Sequence, residues 1–263
     1  MPLPRIRFIG HATVVVEIGG HRILTDPVLR DRVAFLARVR GSRPDPADLG
    51  RIDAVLLSHL HHDHADVPSL RLLPRDVPVL APLGSQAFLE RLGFVQVHAM
   101  PVGAAWERPA APGRPTPLRI TATHAVHDGH RVPFGPRAES LGFLIEAAGT
   151  SVYFAGDTDL FPGMADLHPR LDVALLPVWG WGPNLGPGHL DPARAAEAVA
   201  LLRPRFAVPI HWGTLFPLGL RRVRPVSAVL DEPPRAFAAA AAGARPGCRV
   251  VVTPPGDVVE FPP

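Results

Sequence analysis

The chain has 263 residues, of which 47% are hydrophobic and 19% are charged. This balance is typical of a globular protein and excludes a disordered chain. Its apolar stretches stay short of the roughly 20 residues that a membrane-spanning helix needs, so we expect no integral membrane association. The first ten residues have no apolar signal core, and a single cysteine, Cys248, excludes both a disulfide framework and a thiolate zinc site. We therefore expect a cytoplasmic protein.

The calculated pI of about 10.2 contrasts with a formal net charge of only +3. All basic side chains are arginines, and the chain also contains 33 prolines and 24 glycines. The high pI follows from the absence of lysine and not from a surplus of positive charge. The composition therefore predicts no nucleic-acid partner.

The hydrophobic pattern predicts a first half that begins with strands and then alternates strands with helices. Gly19 and Gly20 form a two-residue hairpin turn between the second and third strands. The predicted strands of this half lie at residues 5–9, 12–18, 22–25, 53–57 and 77–80, and its helices near 67–73 and 85–92.

A proline- and glycine-rich surface segment at residues 101–117 leads into the second half. A helix at residues 192–202 has Asp191 as its N-cap and Pro192 in its first turn. The strands of this half lie at residues 119–123, 141–146, 151–155, 173–176 and 206–210, with a last strand around Cys248. Three stretches are predicted as loops over one edge of the fold: residues 30–50, 125–137 and 179–189.

Four potential metal ligands stand within six residues, directly after the apolar run at residues 54–57: His59, His61, Asp63 and His64. A buried strand that ends in histidines opens into a site at its carboxyl end. His59 and His61 project to the same side if the extended geometry persists. Asp63 and His64 follow where the chain turns, so they can reach a second point a few ångströms away.

More imidazoles and carboxylates end other short β-branched or aromatic runs of the sequence. These residues are Asp26, His124, Asp157 and His211. Because one site must collect ligands from positions so far apart in the chain, we expect a single domain over residues 1–263.

The pattern His-x-His-x-Asp-His resembles that of the metallo-β-lactamase superfamily. Further blocks are similar to its N-acyl-phosphatidylethanolamine phospholipase D-like and L-ascorbate-6-phosphate lactonase-like branch: Ile9-Gly10-His11-Ala12-Thr13, Phe154-Ala155-Gly156-Asp157-Thr158 and Ile210-His211-Trp212-Gly213-Thr214. The resemblance implies an α/β fold, namely a four-layer αβ/βα sandwich with a dinuclear metal site at one edge of its two sheets.

The resemblance also implies two divalent metal ions, with zinc as the first expectation and Mn²⁺ or Fe²⁺ as alternatives. His59, His61 and His124 would hold one metal, and Asp63, His64 and His211 the other. Asp157 would bridge the two, and Asp63 is also taken as a catalytic residue.

Four other residues are predicted to support this site. His189 would bind a substrate oxyanion or donate a proton to the leaving group, although a simple loop residue before the helix is the alternative. Asp26 and Asp66 would orient histidine rings or ligand-bearing loops, or else cap turns. His11 would support the site from the neighbouring strand end.

The expected function is a dinuclear metal-dependent hydrolase that uses a metal-bound hydroxide to cleave a phosphodiester or other ester-like bond. The substrate would be a small molecule or a lipid, and the apolar side chains of residues 30–50, including Phe35, would contact acyl chains or form an ordinary lid. One alternative is a lactonase for a phosphorylated sugar acid, held by arginines within residues 131–137 or 221–224. Another is a metal-binding or ligand-sensing protein with the same fold. The oligomeric state stays open, a homo-oligomer included.

Overall fold

The computed structural model describes residues 3–41, 43–133, 135–180, 186–220 and 226–262, with only the backbone at 226–228. The strands in these ranges are β1 Arg5–Gly10, β2 Thr13–Ile18, β3 His21–Thr25, β4 Arg32–Val33, β5 Leu36–Arg38, β6 Ala54–Leu56, β7 Val79–Pro82, β8 Val97–Met100, β9 Ala105–Arg108, β10 Leu118–His124, β11 Leu141–Ala147, β12 Thr150–Phe154, β13 Val173–Pro177, β14 Phe206–Ile210, β15 Leu215–Pro217 and β16 Arg249–Val250. The helices are α1 Val67–Leu70, α2 Gln86–Arg91, α3 Pro192–Leu202 and α4 Val226–Ala244, with 3₁₀ turns at Pro46–Leu49 and Pro162–Asp166.

These strands form two large sheets, one from each half of the chain. The first sheet has the order β1-β2-β3-β6-β7-β8, and the second has the order β16-β14-β13-β12-β11-β10-β9. A small third sheet, β15-β5-β4, joins the segment after β14 to the segment after β3.

Side-chain alternation explains how the first sheet is buried on both faces. Val14 and Val16 belong to a core cluster that also contains Phe143 of the second sheet, whereas Val15 belongs to a separate cluster with Leu89 of α2. Successive side chains of a strand point to opposite faces, so β2 contributes to both cores. The large core therefore lies between the sheets, and α2 covers the outer face of the first sheet.

Strand direction brings the candidate site residues to one edge. In the first sheet β3 and β6 are parallel, and β1 runs with them because β2 is antiparallel to both β1 and β3. In the second sheet β12, β13 and β14 are parallel, and β10 runs with them because β11 is antiparallel to β10 and β12. The carboxyl ends meet, since the His211 amide donates to the His11 carbonyl (2.7 Å).

Most predicted elements are confirmed. Gly19 and Gly20 both have positive φ, and Ile18 pairs with His21 across the turn. The side chain of Asp191 accepts a hydrogen bond from the Arg194 amide (2.8 Å), which caps α3 as predicted.

Other parts of the chain differ from the sequence prediction. The surface segment at 101–117 contains β9, residues 30–50 contain β4 and β5, and the strand around Cys248 is only Arg249–Val250. The helix α4 was not among the predicted elements, and it contains Pro233 and Pro234, although proline is expected to end or kink a helix. Among the described helices, none has both the length and the apolar character that crossing a membrane requires.

Candidate metal centre

A first group of imidazoles consists of His59, His61 and His127, whose ligand atoms lie within 4.8 Å of one another. His127 Nε2 is 3.2 Å from His61 Nδ1, and the ring of His59 lies 4.5 Å from that of His61 and 4.4 Å from that of His127. Two of these residues follow β6, and the third follows β10.

Hydrogen bonds fix the protons of two of these rings. The Ser58 hydroxyl donates to Asp26 Oδ2 (2.6 Å), so its oxygen accepts from His59 Nδ1 (2.9 Å). His127 Nδ1 donates to the Gly188 carbonyl (2.9 Å). Each ring therefore keeps a lone pair on Nε2, and that of His59 is buried without a hydrogen-bond partner. A buried acceptor of this kind is what a metal ion satisfies.

A second group consists of His11, Asp63, His64 and His211. His64 Nδ1 donates to Asp26 Oδ2 (2.8 Å), and His211 Nδ1 donates to the Trp179 carbonyl (2.6 Å). The remaining nitrogens, His64 Nε2 and His211 Nε2, lie 3.0 Å apart. Two imidazole lone pairs at this distance repel each other unless a proton or a metal ion lies between them.

Asp157 lies between the two groups. Its Oδ2 is 3.2 Å from His64 Nε2 and its Oδ1 is 3.3 Å from His211 Nε2. It also forms a cluster with His127 and His189 whose ligand atoms lie within 4.8 Å of one another. One carboxylate can therefore serve both groups.

The spacing of these atoms fits metal binding. The four ligand-atom pairs given above lie 3.0 to 3.3 Å apart. A tetrahedral shell with bonds of about 2.0 to 2.1 Å places its ligand atoms about 3.3 Å from each other. Nitrogen and oxygen donors suit Zn²⁺, Mn²⁺ or Fe²⁺, and the residues present fit such an ion.

Burial keeps most of the imidazoles neutral, which is the form that binds metals. It lowers the pKa of His61 to about 4 and that of His211 to about 3, and it lowers the pKa values of His59 and His127 as well. His64 differs: burial acts against its charged form, but Asp157 and Asp26 outweigh burial and raise its pKa well above the usual value. The electrostatic field at His64 therefore favours a positive charge.

Burial also opposes the ionisation of Asp63 and Asp157, but the imidazoles around them together have the larger effect on their pKa values. The hydrogen bond from His11 and the nearby imidazoles hold the pKa of Asp63 well below its usual range. His211 and His64 do the same for the pKa of Asp157. Both side chains are therefore available as anionic oxygen ligands.

The structure does not bring His124 into either group. Its side chain is exposed and packs edge-on against the Phe161 ring, with ring centroids 5.1 Å apart. The chain turns after β10, where the Val126 amide donates to Thr158 Oγ1 (2.9 Å), and this turn directs His127 into the site. The sequence predicted His124 as the third imidazole beside His59 and His61, but the histidine in that place is His127.

Contacts in the structure locate three other residues that were predicted to support the site, namely Asp26, Asp66 and His189. Asp26, with φ of 32°, bonds to Ser58 and His64, so it orients the ligand-bearing segment as expected. Asp66 caps α1 and accepts from Arg30, which is the turn-capping alternative. The half-buried His189 has its Nε2 3.7 Å from Asp157 Oδ2.

A cavity of about 470 Å³ opens above these groups. Its polar floor includes His61, Asp63, Asp157, His189 and His211. The rest of the lining is His62 together with apolar residues of the β4–β5 hairpin and of the 125–137 loop: Val33, Ala34, Phe35, Leu36, Val132 and Pro133.

Two sheets with a histidine and aspartate cluster at their shared edge define the class of metal-binding αβ/βα sandwich proteins. The sequence model of the family described as "Beta-lactamase superfamily domain" matches residues 21–212. The chain belongs to the metallo-β-lactamase superfamily, and the fold class expected from the sequence is confirmed.

Known relatives agree with this assignment. A metal-dependent hydrolase of Opitutus terrae is 32% identical over 266 residues, which cover 97% of this chain and 99% of that protein. The metallo hydrolase Igni18 of the archaeon Ignicoccus hospitalis superposes with a TM-score of 0.73 at 25% identity, covering 98% of this chain and 99% of that one.

Other relatives are longer than this chain. A protein of Mycobacterium tuberculosis is 30% identical over 228 residues, and this chain spans only 58% of its length. The N-acyl-phosphatidylethanolamine-hydrolyzing phospholipase D 1 of Caenorhabditis elegans is 29% identical over 231 residues, which cover 81% of this chain and 64% of that enzyme.

Proposed function

We propose that the protein is a metal-dependent hydrolase that binds two divalent metal ions and cleaves an ester-like bond in a substrate with an apolar substituent. The observation that carries this proposal is the pair of ligand groups beside Asp157, at the floor of a cavity with apolar residues on its walls. The family assignment and the metal-dependent hydrolases among its relatives support it.

Each group would hold one metal. His59, His61 and His127 form the first metal position, Asp63, His64 and His211 form the second, and Asp157 serves both. Metals bound there would supply an activated water, with its pKa lowered to roughly 7, and would polarise the bond to be cleaved. The protein contributes imidazoles, which are neutral except at His64, and ionised carboxylates. Asp26, Gly188 and Trp179 accept hydrogen bonds that hold three of the imidazoles in place.

His189 is the chain's candidate for contact with the substrate. It lines the cavity and is 21% exposed, so its Nε2 can reach a leaving-group oxygen beside Asp157. A histidine there can donate a proton or a hydrogen bond. Its position in one cluster with His127 and Asp157 leaves a further metal ligand as the competing role.

The cavity walls favour an apolar substituent over a phosphorylated sugar. No described residue that lines the cavity is an arginine. Arg131 is buried and donates to the carbonyls of Leu60 and Ala65, so its guanidinium is engaged within the protein. The arginines at 221–224 lie outside the described residues. Among the described contacts, the acyl-bearing ester therefore has more support than the lactone of a phosphorylated acid.

The test is metal analysis combined with a hydrolysis screen on phosphodiesters, acyl lactones and phospholipids. We expect two metals per chain and turnover that a chelator abolishes and added metal restores. Asp63→Ala should empty one position, while Asp157→Ala should weaken both, because it removes the shared carboxylate. Two bound metals without turnover on any class would favour the ligand-binding alternative, and activity on lactones alone would favour the lactonase.

A further inference from the structure

His11 is a buried histidine whose backbone is held in a conformation that few residues adopt. Its φ is 57°, in the left-handed region. Its amide donates to Thr214 Oγ1 (2.8 Å), and its carbonyl accepts from the His211 amide (2.7 Å). The segment that carries His211 therefore fixes the backbone of His11, and conformations of this kind concentrate at functional sites.

The side chain of His11 contacts two other members of the second group. His11 Nε2 lies 3.1 Å from Asp63 Oδ2, and its ring lies 3.8 Å from the ring of His211, tilted by 36°. An ionised carboxylate only accepts hydrogen bonds, so Nε2 must carry the proton and donate. His11 thus joins the carboxylate of one ligand to the ring of another.

We propose that His11 is a positioning residue for the second metal. Its Nε2–H group holds the Asp63 carboxylate so that this carboxylate faces the same metal position as His64 and His211. The inference rests on the proposed two-metal function. It adds a residue that contacts a ligand and orients it, as donors behind metal-bound carboxylates commonly do.

A second observation separates this role from ordinary core packing. His11 Nδ1 is buried and has no hydrogen-bond partner. An apolar side chain at this position would bury no nitrogen without a hydrogen-bond partner, so core packing alone does not favour histidine here. The donor function of Nε2 is what an apolar residue could not replace.

The test measures the affinity of each metal by chelator competition, with metal content counted by elemental analysis. His11→Gly suits the positive φ and removes the donor, whereas His11→Gln keeps a donor near the position of Nε2. We expect His11→Gly to weaken the second metal by about 10 to 100-fold and to leave the first unchanged. His11→Gln should recover most of the loss.

The matched control is His21→Ala. His21 is also buried, but it lies at the first residue of β3, away from the histidine and aspartate groups, and contacts the Thr116 carbonyl there. Its removal should leave both metal affinities unchanged. Thermal unfolding of the metal-free variants shows whether each one folds.

A double variant shows whether His11 acts through Asp63. In an Asp63→Ala background, measured at metal concentrations high enough to refill the second position, His11→Gly should cause no further loss of affinity, because the residue that it orients is already absent. Additive losses, or a His11→Gln variant as weak as His11→Gly, would overturn the inference and indicate direct ligation.

The outcomes for wild type separate the two proposals. A wild-type protein that binds a single metal would overturn the two-metal function and this inference with it. Two metals in wild type with unchanged affinities in His11→Gly would overturn the inference alone.

Discussion

His127 Nε2 lies 3.2 Å from His61 Nδ1, although 66 residues separate the two histidines in the chain. His127 Nδ1 donates to the Gly188 carbonyl, so the lone pair of its Nε2 either accepts a hydrogen bond from His61 or binds a metal ion. The contact makes His127, three residues beyond the end of β10, a partner of the histidines that follow β6.

The first prediction compares two histidines of the same segment. His127→Ala should lower the metal content by about one ion per chain, because it removes one of three imidazoles from the first position. His124→Ala should retain both metals, because that exposed side chain packs against Phe161. Elemental analysis of the two variants decides between them. Metal loss in His124→Ala alone would restore the ligand set expected from the sequence.

The second prediction concerns protons that are released when metals bind. The pKa of His64 is raised, so the metal-free protein carries a proton there at pH 7, and filling the second position should release it. Affinity at that position should therefore increase with pH up to the pKa of His64. The first position should show little change with pH above about 5, since the pKa of His61 is about 4.

Titration calorimetry in buffers with different ionisation enthalpies measures this release. We expect about one proton for the second metal and none for the first. Equal proton release from both positions would contradict the assignment of His64 as the protonated ligand.

The third prediction is that His189 acts on the substrate. His189→Ala should keep its metals but lower kcat and kcat/KM together, by roughly 10²- to 10³-fold, as for loss of a general acid or an oxyanion donor. A nitrophenolate ester, whose leaving group needs no proton, should largely rescue a lost general acid but not a lost oxyanion donor. Loss of metal from the variant would instead make His189 a ligand.

The fourth prediction tests the apolar wall of the cavity. Phe35 lies at the tip of the β4–β5 hairpin, lines the cavity and is 54% exposed. Phe35→Ala should raise KM for esters with long acyl chains more than for short ones, since it removes apolar area that a long acyl chain would contact. Val95→Ala is the control, because Val95 is also apolar and is 74% exposed but lies outside the cavity lining. Equal effects on long and short esters would exclude an acyl-binding role for Phe35.

Much of the fold could be predicted from the sequence, because alternation and turn chemistry are local. The hairpin at Gly19 and Gly20 and the capped helix after Asp191 need only neighbouring residues to be recognised. The helix α4 could not be predicted in this way, because two prolines lie inside it and proline locally disfavours a helix. Packing of α4 against α3 and β16 compensates for this local cost.

The sequence by itself determined the members of the site that follow β6, because two histidines two residues apart at a strand end share one side of the chain. It also placed Asp157 and His211 after predicted strands. Only the tertiary structure decided between His124 and His127, and it alone brought His11 to Asp63. The reason is physical: the route of a loop beyond its strand depends on contacts such as that of Val126 with Thr158, which residues far apart in the chain provide.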